Sequence, residues 1–319
     1  MTLCIARKKR VVTRIKGGIG NQLFCYAAAR RLALVNGAEL VIDDVTGFIR
    51  DKQYRRRYGL DRFQIPCRKA TPAERLEPFE RYRRAVMKWL SKRRPFEKRR
   101  YVEQEGIDFD ERLLRLKVKG TIYLDGLWQS EGYFKDVEKI IREDLKIIPP
   151  SDADNQRMAE RISTTQAVAV HVRFFDLPDY VLNGVALNNT PACYYERAIA
   201  IMEKQLSHPH YYLFSDQPRA ARTLINLPDN RVTVVAHNLG DDNAYADVWL
   251  MSLCKHFIIA NSTFSWWGAW LAENPEKKII APGFVKYEGA VAWGFKGLLP
   301  EEWIKVWIGW KPANQPSQC

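Results

Sequence analysis

The feature that most constrains this chain is a glycine-rich turn set between two β-branched runs near its start. Residues 10–15 (RVVTRI) have the composition of a short strand, and Gly17-Gly18-Ile19-Gly20 follows as a turn. A helical pattern then runs from Asn21 to Asn36, with Leu23, Tyr26, Ala27, Arg30 and Leu34 on related faces and Gly37 as a stop. Glu39–Asp43 (ELVID) reads as a second strand. Strand, glycine turn, helix and strand make a βαβ unit. Such a unit commits the chain to a parallel sheet, with the glycine turn facing its carboxyl edge.

The same alternation continues downstream. Thr121–Leu124 reads as a strand and residues 133–145 as a helix; Pro149-Pro150 and the polar run 151–155 (SDADN) then read as a linker. That places a first domain over 1–150 and a second over 151–319. In the second, strands are expected at 167–172 (AVAVHV), 211–214, 232–235, 257–260 and 278–281, with helices at 191–205, 245–255 and 266–271. A hydrophobic content of 46% and an aromatic content of 12% over 319 residues can fill two cores, which excludes extensive disorder. No apolar run reaches the length of a membrane span. The start, MTLCIARKKR, has no apolar run after its charges and does not read as a signal peptide. Six cysteines without a CxxC pair suggest reduced thiols in the cytoplasm, with neither a disulfide frame nor a zinc site.

Charge is concentrated. The chain holds 50 Lys+Arg against 37 Asp+Glu, a formal net charge of +13, and residues 50–101 alone hold 19 basic and 6 acidic side chains. The stretch 48–118 therefore reads as a basic insertion with little strand signal. Within it, residues 81–94 (RYRRAVMKWLSKRR) look helical, placing Val86, Met87, Trp89 and Leu90 among seven basic residues. One reading is a solvated surface helix whose apolar residues pack inward; another is a helix lying on an anionic membrane surface. No nucleic-acid-binding motif accompanies the charge, so nucleic acid is not an expected partner.

Four places have the composition of a site. Gly17-Gly18-Ile19-Gly20-Asn21-Gln22 lets backbone amides approach a phosphate or sugar at a helix N-terminus. It is not a dinucleotide fingerprint, because Leu23 stands where a third glycine is needed; a plain βα turn would look the same. His171-Val172-Arg173 closes a strand with Asp176 three residues on. An arginine fork at a sheet edge suits a diphosphate, and Asp176 either accepts a proton or orients Arg173, although an ordinary ion pair has the same composition. Asn261-Ser262-Thr263-Phe264-Ser265 lies where a strand turns into a helix, which suits either anion binding or simple capping. Ser215-Asp216 follows a strand and reaches toward a base or ribose, or merely makes a turn. The triplets Asp108-Phe109-Asp110 and Asp152-Ala153-Asp154 sit in a polar turn and in the linker, and read as solvated rather than metal-binding.

Several segments, taken in order, resemble the bacterial alpha-1,2-fucosyltransferases of glycosyltransferase family 11. They are GGIGNQLFCYAAARRLA (17–33), GLWQSEGYF (126–134), HVRFFD (171–176), YYERAI (194–199), FSDQP (214–218) and, most specifically, DVWLMSLCKHFIIANSTFSWWGAWL (247–271) followed by Ile280-Ala281-Pro282. The resemblance implies an α/β, GT-B-like fold of two facing Rossmann-type domains, with the basic helical insertion at 48–118 in the first. It implies inverting transfer of L-fucose from GDP-L-fucose to the 2-hydroxyl of a terminal galactoside, in bacterial surface glycan synthesis and without a metal or other cofactor. The first domain would take the acceptor, a galactose-terminated oligosaccharide either free or lipid-linked, and the second would bind the GDP-sugar. Arg173, Asp176 and His171 would form the catalytic set. Gly18, Gly20, Asn21 and Gln22 would contact the donor together with Arg173, Asp216, Asn261, Ser262, Thr263, Phe264 and Ser265. The expected location is the cytoplasm, with peripheral contact to the inner membrane.

One departure matters. The family segment usually reads His-x-Arg-Arg-Gly-Asp-Tyr, whereas this chain has His171-Val172-Arg173-Phe174-Phe175-Asp176-Leu177. A second guanidinium near the leaving group is lost. Two other readings stay open: the same fold using another GDP-sugar or acceptor hydroxyl, and a non-catalytic basic surface-binding protein.

Overall fold

The computed structural model describes residues 8–175, 181–182, 185–186, 189–283 and 293–308. The chain divides into two units, Met1–Lys146 and Ile147–Cys319.

The first unit runs β1 (Arg10–Arg14), α1 (Ile19–Asn36), β2 (Glu39–Asp43), β3 (Arg68–Lys69), α2 (Glu80–Lys92), β4 (Tyr101–Glu103), α3 (Arg112–Arg115), β5 (Thr121–Asp125) and α4 (Glu138–Asp144). Its five strands form one parallel sheet in the order β3-β2-β1-β5-β4. Val11, Val12 and Thr13 of the central β1 are buried on both faces, as parallel sheets require. α1 begins two residues earlier than its apolar pattern suggests. Gly18 is the N-cap, so Gly20, Asn21 and Gln22 lie in the first helical turn rather than in a loop. Glycine is a poor helix former, but burial of Gly20 and Gln22 against the unit overrides that preference. Further along, Leu23, Phe24, Tyr26, Ala27, Leu32 and Ala33 are fully enclosed.

The basic stretch 48–118 carries its helix as expected, α2, and also does something its composition hides. It supplies both edges of the sheet, β3 against β2 and β4 against β5. The turn after β2 is closed tightly: a Cβ on Gly47 would stand 1.8 Å from the Ile15 carbonyl oxygen, so only glycine fits.

The second unit runs α5 (Ala153–Ser163), β6 (Ala167–Val172), β7 (Val181–Leu182), β8 (Val185–Ala186), α6 (Ala192–Gln205), β9 (His210–Ser215), α7 (Pro218–Thr223), β10 (Val232–Val235), α8 (Ala244–Ser252), β11 (His256–Ile258), α9 (Thr263–Leu271), β12 (Ile279–Gly283) and β13 (Ile304–Trp307). Six strands form a parallel sheet in the order β10-β9-β6-β11-β12-β13, and β7 and β8 pair separately and antiparallel. Every residue of β6 is buried, the continuous apolar run of a central parallel strand. The polar run 151–155 is not linker throughout: Asp152 caps α5, its Oδ1 accepting the Asn155 amide at 3.0 Å. The four cysteines among the described residues, Cys25, Cys67, Cys193 and Cys254, are free thiols.

The second sheet reverses its winding direction once. The chain leaves β6 for β9 and β10 on one side, then crosses to β11, β12 and β13 on the other. In the first sheet the chain runs from β1 out to β3, crosses to β4 on the far edge and returns to β5 beside β1. Loops at the carboxyl ends of strand pairs at a reversal diverge and leave a crevice, where open α/β sheets bind ligands.

Candidate active site

At the β6/β11 reversal the described residues bring together Arg173, Asp216, Asn189, Thr190 and the start of α9. Arg173 follows β6 directly. Its Nη1 pairs with Asp216 Oδ2 at 2.7 Å, and its guanidinium lies 5.4 Å from the Phe175 ring centroid. Asp216, after the neighbouring β9, also accepts the Phe174 amide at 3.1 Å through Oδ1. Asp216 thus fixes both the side chain of Arg173 and the backbone beyond it. The sequence leaves Asp176 either to accept a proton or to orient Arg173, and Asp216 either to reach the nucleotide or to make a turn; among the described residues it is Asp216 that orients Arg173. Asp176 itself lies outside the described residues. Phe175, one of the two residues that replace the usual family pattern, puts an aromatic face beside the remaining guanidinium, a favourable cation–π contact. Its amide donates to Asn189 Oδ1 at 2.8 Å.

The cluster after β11 is less available than its composition implied. Ser262 is the N-cap of α9, accepting from the Phe264 amide. Ser265 is fully buried and its hydroxyl donates to the Ser262 carbonyl at 3.2 Å, so it is no ligand contact. Asn261 is buried and accepts from Thr190 Oγ1 at 2.9 Å, tying the loop after β8 to the end of β11. Thr263 and Phe264 are half-buried. What remains at this edge is the N-terminus of α9, whose amides and dipole favour an anion. α9 is held rigidly in place. Trp266 and Trp267 are fully buried with ring centroids 5.0 Å apart, and Trp266 Nε1 donates to the Leu298 carbonyl at 2.8 Å. The helix therefore starts at Thr263, three residues before the apolar run that announced it.

His171 sits inside β6, buried, with its ring centroid 5.2 Å from that of Phe264 and its carbonyl accepting from Tyr195 Oη. Burial and the adjacent Arg173 charge push its pKa down to about 3, and its Nδ1 has no hydrogen-bond partner among the described residues. A ring this weakly basic stays neutral and is a poor proton acceptor. The geometry makes His171 a packing residue beneath Phe264 instead of the catalytic residue expected.

The β1/β5 edge of the first unit is built differently. Gly17 has φ 78°, and a Cβ there would meet Asn21 Nδ2 at 2.8 Å. Gly18 offers no side chain to cap α1. Asn21 Oδ1 accepts from Gln129 Nε2 at 2.7 Å, joining the first turn of α1 to the loop after β5. Gln22 is fully employed inside the unit: its Nε2 donates to the carbonyls of Gly17 and Arg57, and its Oε1 accepts the Gly59 amide. It buttresses the turn and does not face a ligand. Two residues escaped the sequence reading here, Gln129 and Arg56. A Cβ on Gly18 would stand 3.4 Å from the Arg56 guanidinium carbon, and Arg56 Nε is buried without a hydrogen-bond partner among the described residues. Only the run Arg55-Arg56-Arg57 hinted at it.

A chain of polar contacts crosses the same edge. Asp43 accepts from Thr46, Arg14 donates to the Thr46 carbonyl at 2.7 Å, and Arg14 and Lys16 pair with Asp125 at 3.3 and 2.7 Å. Tyr101 Oη also donates to Asp125, at 2.7 Å. Burial would raise the Asp125 carboxyl, but Lys16 and Arg14 outweigh it and hold the pKa at about 2. The Asp-x-Asp triplets are spent locally as well, Asp152 on the cap of α5 and Asp110 on Arg112 at 2.6 Å.

Taken with this geometry, the model of glycosyl transferase family 11 matches residues 10–291. The chain belongs to that family. It is 30% identical over 309 residues to an alpha-1,2-colitosyltransferase of Escherichia coli, a match covering 93% of this chain and 98% of the relative. It is also 30% identical over 288 residues to the O-antigen biosynthesis glycosyltransferase WbnK of Escherichia coli, covering 84% and 92%. A structure of NodZ alpha-1,6-fucosyltransferase soaked with GDP-fucose superposes with a TM-score of 0.51 at 18% identity, over 83% of this chain and 93% of that one. This family 11 glycosyltransferase therefore has the α/β fold, with a parallel sheet in each unit, that its sequence announced.

Proposed function

We propose that this family 11 glycosyltransferase moves L-fucose from GDP-L-fucose, with inversion, to the 2-hydroxyl of a terminal galactoside in the synthesis of a bacterial surface glycan. The observation that carries the reading is Arg173, held by Asp216 at the β6/β11 reversal beside the N-terminus of α9. In a displacement at the anomeric carbon, negative charge grows on the departing diphosphate. A preorganised guanidinium and a helix N-terminus are suited to receiving it. The second unit accordingly takes the GDP-sugar and the first the galactoside. Asp176 serves as the base that takes the acceptor proton, and the reaction runs without a metal.

A second reading keeps the same chemistry with colitose in place of fucose, and the 30% identity to an alpha-1,2-colitosyltransferase favours it. The two sugars differ in the 3-hydroxyl, which colitose lacks. A site that hydrogen-bonds a hydroxyl rejects the analogue without it far more strongly than the reverse. Incubation of the protein with GDP-fucose or GDP-colitose and a panel of galactosides, in the presence of EDTA, with the product linkage determined by NMR, separates the readings. Fucose in an alpha-1,2 linkage is the expected product. Transfer of colitose alone, a different linkage, or dependence on added metal each overturns a stated part. Asp176→Asn should abolish the acidic limb of the pH–rate profile of kcat/KM, and an unchanged profile assigns the base elsewhere.

A further inference from the structure

α2 is amphipathic in an unusual sense, because its apolar face points away from the protein. At ~100° per residue, Tyr82, Val86, Trp89 and Leu90 share one side of the helix, and Glu80, Arg84, Met87, Lys88 and Ser91 share the opposite side. The second side is the one that docks. Ser91 is buried and its Oγ accepts the Tyr101 amide at 3.0 Å, while Lys88 pairs with Glu103 of β4. The first side meets solvent: Tyr82 is 70% exposed, Val86 56%, Trp89 53% and Leu90 46%, with Phe79 at 69% immediately before the helix. Of the twelve large exposed apolar residues among those described, five fall in residues 79–90, so they form a patch and are not scattered singly.

The rim of that patch carries one sign of charge. Arg81, Arg83, Lys92, Arg93 and Arg94 are all exposed, and the Arg93 guanidinium carbon sits 3.4 Å from the Trp89 ring centroid. A second copy of the chain is a poor occupant, since two-fold pairing of the patch would set the two cationic rims against each other. An anionic bilayer satisfies both halves at once. Its headgroup layer accepts aromatic and aliphatic side chains to shallow depth, and its surface charge attracts the flanking Lys and Arg. We propose that α2 docks this family 11 enzyme on an anionic membrane surface, with Phe79, Tyr82, Val86, Trp89 and Leu90 entering the headgroup region and the basic rim contacting lipid phosphates. The surface-helix expectation, with apolar residues packed inward, is thereby replaced.

This proposal does not depend on which sugar the enzyme transfers. The full-length protein is sedimented with vesicles of phosphatidylcholine alone and of phosphatidylcholine mixed with phosphatidylglycerol, at low salt and at about 0.5 M salt. Two exposed-face variants accompany it, V86S/W89S/L90S and R81E/R83E/R93E, with circular dichroism to verify that each folds. Wild type should bind the anionic vesicles at least about tenfold more tightly than the neutral ones and weaken at high salt. Each variant should lose about tenfold or more, while transfer to a soluble acceptor stays at the wild-type rate. Three results overturn the proposal: no preference for anionic vesicles, variants that bind like wild type, or an apolar-face variant whose only change is in oligomeric state, which would make the patch an interface between copies. Because the vesicle assay needs no sugar donor, its failure leaves the transfer reading untouched, and the converse holds.

Discussion

The two carboxyl edges hold their cations in different ways. At the β1/β5 edge, Arg14 and Lys16 both turn inward to Asp125, and the chain of contacts runs on to Thr46, Asp43 and Tyr101. At the β6/β11 edge, Arg173 pairs, among the described residues, with Asp216, and α9 begins after the adjacent β11. In the first case cations stabilise the sheet edge; in the second a cation is oriented by the carboxylate of a neighbouring strand's loop. The first edge presents the Asn21–Gln129 pair, with Arg56 beside Gly18. An edge holding a fixed guanidinium suits a diphosphate. The position of a charge at a strand end therefore says little until its partners are counted.

This contrast can be broken most sharply at Arg173. Arg173→Ala should cut transfer by about 10²–10³-fold while thermal unfolding barely shifts, and a variant keeping half the wild-type rate would sink the donor assignment. The mirror experiment is Asp125→Asn, which leaves Lys16 and Arg14 without their carboxylate. It should cost about 3 kcal/mol in urea unfolding. Its pH dependence has a definite sign. The folded pKa lies below the usual carboxylate value, so the stabilisation is present above about pH 4 and is lost as pH falls toward 2. The acid limb of the stability curve should flatten in the variant, and an identical limb would show that Asp125 is not what sets it.

Asp216→Asn should keep the hydrogen bond to Phe174 in one rotamer but weaken the grip on Arg173. Transfer should fall about tenfold, chiefly in kcat, with the Arg173→Ala loss correspondingly smaller in the double variant. The smallest catalytic effect is expected at His171. His171→Gln should retain transfer within about tenfold, in line with packing rather than proton transfer. In wild type the unfolded chain protonates this ring near its usual pKa of 6.5 while the folded ring resists down to about 3, so His171 lowers stability as pH falls through that window. That slope should be absent from the variant in denaturation series, and a rate loss of a hundredfold or more would return His171 to the catalytic set.

Much of the fold was legible because parallel α/β units write themselves in alternating runs. AVAVHV could only be a buried central strand, and β10 falls on Val232–Val235 as its β-branched run indicates. The edges of the first sheet were not legible. β3 is two exposed basic residues, Arg68 and Lys69, and β4 is Tyr101–Glu103; both are strands because a neighbour's backbone lies beside them, and no periodicity records that. Two helix starts were missed because their caps were not placed: Asp152 reads as linker, and Ser262 fits capping and anion binding alike, although they draw Ala153 and Thr263 into helices. At the site, Arg173 was legible from its place after a strand. Its partner was not, since Asp216 stands 43 positions away and only the pairing of β6 with β9 brings it near. The outward tilt of the α2 apolar face was equally hidden, because a helical wheel shows that a face exists but not which way it points.

The way residues 48–118 close the first sheet sets an order of assembly during synthesis. β1 and β2 leave the ribosome early, but β5, the other neighbour of β1, and β4 beyond it come roughly 100 residues later, about 5–20 seconds at ordinary elongation rates. Until then the nascent β1–α1–β2 piece has an unpaired strand on its open side. The basic segment between is thus not a module that can be trimmed to obtain a smaller enzyme. A shortened chain without it would lack β3 and β4 and would leave both flanks of the sheet as templates for aggregation.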